Sequence, residues 1–146
     1  MKRSARSGFT LVEVLIVVVI MAILAATIIP QFTDSTNDAK VSTSKFNLHT
    51  MRSQIELYKA HHNGLLPTAT LSELIGSTDV DGVAGTGTAF PYGPYMREIP
   101  ANPFNNENTV TSIAVDPPAS AAGTGGWLYN ATTGGFWIDH SIHYVE

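Results

Sequence analysis

The sequence predicts an α+β fold in which a long N-terminal helix, its first half membrane-spanning, packs on a small antiparallel β-sheet head. Three observations predict it. Residues 9–29 read FTLVEVLIVVVIMAILAATII, an apolar run with one charge, Glu13. The chain then turns polar, yet no glycine follows until Gly64 and apolar residues recur at helical spacing. Near the end, two short aromatic segments flank a Thr/Gly turn.

The first element is the apolar run. A helix of 21 residues spans roughly 30 Å, the thickness of bilayer hydrocarbon. Lys2, Arg3 and Arg6 precede it and should stay in the cytoplasm, which puts the C-terminal part outside. From Phe9 onward only Lys40, Lys45, Arg52, Lys59 and Arg97 are basic, against all 12 acids, so the body of the protein is acidic and no nucleic-acid partner is expected. A secretory signal peptide is the plainest alternative, but this run exceeds a usual apolar core. Ala25-Ala26-Thr27 also leads into Ile28-Ile29-Pro30 rather than into a polar mature start.

Glu13 argues against a mere anchor too. A carboxylate in an apolar span is costly and by default functional, with a partner. No Lys, Arg or His lies between Phe9 and Gln31, so its counter-charge must come from another chain or from a new amine near residue 9.

Gly8-Phe9-Thr10-Leu11-Val12-Glu13, with the basic leader before it and the apolar run after it, resembles the cleavage and methylation signature of type IV pilins and type II secretion pseudopilins. The resemblance implies that a membrane peptidase cuts between Gly8 and Phe9 and that the same enzyme N-methylates Phe9. It also implies that Glu13 meets the Phe9 ammonium of a neighbouring subunit. Residues 1–8 are then a removed leader, 9–30 the membrane and filament-core helix, and 31–146 a periplasmic head. Pro30 stands where this family often has a helix-kinking proline. It removes one backbone bond, and helical patterning resumes beyond it.

Val41, Leu48, Met51, Ile55, Tyr58 and His62 fall on one helix face, with Lys45, Arg52, Gln54, Glu56 and Lys59 opposite. Asn63-Gly64 is a left-handed stop. The whole helix would be roughly 80 Å long. Thr70-Leu71-Ser72-Glu73 has capping-box spacing, opening a short helix that Gly76 closes. Gly76–Thr88 reads as a loop, and Val110–Val115 as a strand. In the proline-dense segment Pro91–Phe104, which is similar to a segment of major pseudopilins, Tyr95, Ile99 and Phe104 should pack on the helix stripe. Gly126–Asn130 and Gly135–Asp139, joined by Ala131-Thr132-Thr133-Gly134, read as a hairpin.

Residues able to do chemistry are few. The chain has no cysteine, and no catalytic triad or nucleotide-binding pattern appears, so no enzyme is expected. His61, His62, His140 and His143 lack zinc-site spacing. If a strand continues through them, His140 and His143 point to opposite sides. Ser77–Gly82 mimics the start of a calcium loop, but the twelfth position is Thr88 where a bidentate Glu is needed. Major pseudopilins often bind calcium in a C-terminal acidic loop. Here Ala119–Gly126 holds no carboxylate, so neither cofactor nor metal is expected. Asn130-Ala131-Thr132 fits a glycosylation sequon, with a hairpin turn as the simpler role.

The resemblance implies a pseudopilus subunit anchored once in the bacterial inner membrane. Its partners would be its own copies, minor pseudopilins, the prepilin peptidase and methylase, and an inner-membrane assembly platform. Two rivals stay open. One is a type IV pilin of a surface fibre for adhesion, motility or DNA uptake. The other is a signal-anchored periplasmic domain that never polymerises.

Overall fold

A computed structural model describes residues 8–121 and 123–144, with the side chain of Pro30 outside the described set. The leader residues Met1–Ser7 and the kink expected at the Pro30 ring therefore lie outside the described residues. By its contacts the chain divides into two compact units, one ending at Ala39 and one starting at Lys40.

Helix α1 runs Leu11–His61, through Pro30, so the proline does not end it. In the first unit every side chain described from Phe9 to Ala39 is exposed, including Ile16, Val19, Ile23 and Ile29. An apolar helix with an uncovered surface suits lipid or other apolar helices. Three threonine hydroxyls donate back along the helix, Thr27 to the Ile23 carbonyl at 3.1 Å, Thr33 to Ile29 at 3.3 Å and Thr36 to Phe32 at 2.7 Å.

In the second unit α1 buries the expected stripe: Leu48, Met51, Ile55, Tyr58 and His62 are all at most 2 % exposed, joined by Ser44, while Val41 is half-buried. The helix ends as expected on left-handed residues. Asn63 has φ 55° and Gly64 φ 90°, and the Gly64 N–H reaches back to the Lys59 carbonyl at 2.9 Å. Arg52 departs from the expected solvent face. Its Nε and Nη2 donate to the Phe136 carbonyl at 3.1 and 2.9 Å, because a long side chain beside the stripe can arch onto the sheet.

The sheet has three strands in the order β1 (Val110–Ser112), β2 (Trp127–Tyr129), β3 (Phe136–Ile138). The hairpin stands as expected, with Trp127 opposite Ile138 and Tyr129 opposite Phe136. The sheet is mixed rather than antiparallel, since β1 runs parallel to β2. The Ile113–Gly126 connection is long enough for the crossover that a parallel pair needs. β1 is also shorter than expected. After the Ile113 N–H bonds to the Tyr129 carbonyl, Pro117 and Pro118 cannot donate to a ladder.

Trp127, Tyr129, Phe136 and Ile138 meet the α1 stripe in the core, with Leu71 and Leu74. Tyr95, Ile99 and Phe104 pack against that core as expected. The expected capping box at Thr70–Glu73 does not form. Leu71 takes a left-handed conformation, no side chain caps the turn, and only one 3₁₀ turn follows, Ser72–Leu74. Leu71 and Leu74 are both fully buried, so placing two leucines in the core outweighs a surface cap. Gly76 closes no helix.

Candidate processing and assembly site

The N-terminal end of α1 carries the candidate site. Gly8 stands in open space, with nothing within 4 Å of where a Cβ would sit, and Phe9 is 84 % exposed. None of the described residues crowds the junction between them.

Thr10 and Glu13 form a reciprocal cap. The Thr10 N–H and Oγ1–H both donate to Glu13 Oε2, at 2.8 and 2.9 Å, and the Glu13 N–H donates to Thr10 Oγ1 at 3.2 Å. Thr10 is therefore the N-cap and Glu13 the third helical residue, a capping box that satisfies the first backbone donors of the helix. Glu13 thus has hydrogen-bond partners inside its own chain, which sequence reasoning did not foresee. It has no opposite charge among the described residues, and Oε1 accepts no hydrogen bond from them. Thr10 is the capping residue that sequence reasoning did not single out, although Thr-x-x-Glu spacing marks it.

The cap fixes the carboxylate one turn from Gly8–Phe9. An α-amine freed there would be a cation beside a helix N-terminus, where the helix's own partial positive charge disfavours it and favours a nearby carboxylate. Pro30 lies in the same helix, farther along the apolar span.

The other candidates are occupied structurally. His62 is fully buried, its Nδ1–H donating to the Tyr58 carbonyl at 2.7 Å and its Nε2 bonded to Thr78 Oγ1 at 2.9 Å. His61 Nδ1 bonds the Tyr95 hydroxyl. His140 and His143 sit in a turn rather than a strand, so their rings stack 5.0 Å apart on one side instead of facing apart. Burial, with the nearby His143, holds the His140 imidazole below its usual range. In the Ser77–Gly82 segment, Asp79 Oδ1 accepts from the N–H groups of Asp81 and Val83, an Asx turn. Asn130 is 2 % exposed, and its Oδ1 accepts from Thr132 and Thr133, the expected turn role. Among the described residues no three His, Cys, Asp or Glu side chains come together as a metal site.

Residues 3–29 match the family described as the prokaryotic N-terminal methylation motif. The type II secretion system core protein G of Pseudomonas aeruginosa is 30% identical over 110 residues, covering 73% of each chain. The protein of that name from Klebsiella michiganensis is 29% identical over 114 residues, 77% of this chain and 78% of the relative. A fimbrial protein of Neisseria meningitidis is 29% identical over 102 residues, covering 70% of this chain but 60% of the relative. No solved structure matches significantly.

Proposed function

This chain belongs to the family of the type II secretion system core protein G, the major pseudopilin, and we propose how its N-terminal site serves that role. The protein is a membrane-anchored structural subunit of a pseudopilus, made as a prepilin and assembled into a filament. The Neisseria fimbrial relative fits less well, since the match spans a smaller share of its length.

In this proposal the prepilin peptidase cuts between Gly8 and Phe9 and methylates the new amine of Phe9. The basic leader faces the cytoplasm, residues 9–30 span the inner membrane, and the head from residue 31 is periplasmic. On assembly the apolar helices bundle, and Glu13 Oε1 meets the Phe9 ammonium of an adjacent subunit while Oε2 stays on Thr10. Ion pairing in a dry bundle requires both charges, because a lone buried ion is strongly disfavoured. Minor pseudopilins and an assembly platform complete the partners, and Pro30 adapts the helix to the bundle. The role is structural, not catalytic.

One observation carries this reading: a carboxylate fixed by Thr10 at the first turn of an uncovered apolar helix, beside an open Gly-Phe junction. Intact-mass and N-terminal sequencing of filaments from the native host test it. The expected chain starts at N-methyl-Phe9. Filaments that retain Lys2 or Arg6 would refute the processing step.

A further inference from the structure

The family resemblance raises calcium as a ligand of the C-terminal loop, and the donor set around residues 119–126 does not fit it. Calcium takes six to eight oxygen ligands, typically several carboxylates with loop carbonyls. Here the carbonyls of Gly123, Gly125, Gly126 and Asp139 already face hydrogen-bond donors. Asn105 Nδ2 donates to the Gly123 carbonyl at 3.3 Å and to the Gly125 carbonyl at 2.8 Å. Asn102 Nδ2 donates to the carbonyls of Gly126 at 3.0 Å and Asp139 at 3.3 Å.

The carboxylate is equally committed. Asp139 is 3 % exposed, its Oδ1 accepting from the Gly123 N–H at 2.8 Å and its Oδ2 from the Gly125 N–H at 2.7 Å. The loop thus turns N–H groups, not oxygens, toward the buried Asp139 carboxylate. A cation at this place would face those N–H dipoles and two amide groups.

We infer that Asn105, Asn102 and Asp139 form a built-in clamp that closes the loop with hydrogen bonds, so that the head keeps its fold without calcium. Asn102 is fully buried, and its Oδ1 is fixed by the Phe104 N–H at 3.0 Å. Asn105 Oδ1 is fixed by the Glu107 N–H at 3.0 Å. Each amide is therefore oriented by its oxygen, leaving its NH₂ to grip the loop. Gly125 fits the arrangement tightly. A Cβ there would lie 3.1 Å from Asp139 Oδ2, 3.2 Å from Thr111 Oγ1 and 3.3 Å from Thr109 Oγ1. The clamp also joins parts of the chain that are far apart in sequence. Asn102 lies within the proline-dense segment, Asn105 just after it and Asp139 after β3, so Gly123, Gly125 and Gly126 are tied to elements packed on the core.

The test is thermal unfolding of the full chain in detergent, followed by Trp127 and Trp137 fluorescence. It is run once with calcium chloride at about 1 mM, the weak end of extracellular calcium modules, and once with a chelator. Wild type should melt within about 2 °C in both conditions. A fall of more than about 5 °C on chelation would overturn the inference. Asn105→Asp keeps the shape and the bond from Glu107 but deletes both donors, and should lower Tm by roughly 10 °C with or without calcium. Asp139→Asn turns an NH₂ against a loop N–H and should lower it similarly. Either variant melting with wild type would refute the clamp. Even if one variant fails to fold, the wild-type comparison decides. None of these readings involves polymerisation, so the clamp and the filament role fail separately.

Discussion

Replacing Arg52 with methionine should loosen the helix from the sheet without touching the hydrophobic core. Methionine keeps most of the aliphatic stem and removes both donors to the Phe136 carbonyl. Phe136 opens β3 and is fully buried, so its carbonyl would lose its charged partner beside a packed strand. Hydrogen bonds from a charged donor contribute about 1.5–3 kcal/mol, and the half-buried position of Arg52 points to the lower end, about 2 kcal/mol. For a domain of about 100 residues each kcal/mol moves Tm by roughly 4–8 °C, so a fall of about 10 °C is expected. The assay is thermal unfolding by near-ultraviolet circular dichroism, which reports the packed Trp127 and Trp137. Lys59→Met is the control. Its ion pair with Glu56, at 3.7 Å on an exposed helix face, should matter by no more than about 2 °C. Arg52→Met melting within about 2 °C of wild type, or falling no further than the control, would refute the reasoning.

Three further outcomes are expected. Burial pushes the Tyr58 hydroxyl up to about 12, helped by Glu73, Tyr95 and Asp79, and burial also raises Tyr129, whose hydroxyl donates to the Pro67 carbonyl. The fold favours the neutral phenols, so their contribution is full below the unfolded value of 10.0 and is lost as pH rises from there through about 12. Equilibrium unfolding across that window should show the decline, shallower in Tyr129→Phe. Gly126→Ala should lower Tm more than Arg52→Met, because its Cβ would run into the Glu107 carbonyl and lie 3.0 Å from the Asn108 Cα, and backbone cannot swing aside. Thr10→Val deletes the hydroxyl that orients Glu13 but keeps the backbone N–H, so filament yield in a shear assay should drop several-fold without vanishing while cleavage at Gly8–Phe9 persists.

Much of this was legible in the sequence where a local pattern has one physical solution. The Leu48-Met51-Ile55-Tyr58 spacing can only be a helix face, and Asn63-Gly64 tolerates left-handed backbone as few pairs do. The aromatic hairpin announced itself through its turn. Glu13 stood out because a charge in hydrocarbon demands explanation. Other features depended on contacts between distant residues. A three-residue strand carries no sign of its direction, so the parallel pairing of β1 was invisible. Arg52 reads as a surface residue until the position of β3 is known. The Thr-x-x-Glu spacing occurs at both Thr10 and Thr70. Burial of Leu71 defeats the second, while the first forms and positions the candidate site. The Asp139 clamp joins residues 14 and 16 positions apart, beyond the reach of any local motif.

The central claim is that Glu13 supplies the carboxylate for a neighbour's Phe9 ammonium. Glu13→Leu tests it most directly, measured as sheared filaments beside a membrane-fraction blot that separates precursor from cleaved chain. The leucine variant should enter the membrane at least as well as wild type, because a charge has left the apolar span. Cleavage at Gly8–Phe9 should proceed, since the junction is unchanged. Assembly would then bury each Phe9 amine without a counter-ion, so monomer should accumulate and filaments should be absent, with Glu13→Asp partly active. Abundant normal filaments from a cleaved Glu13→Leu chain would contradict the account.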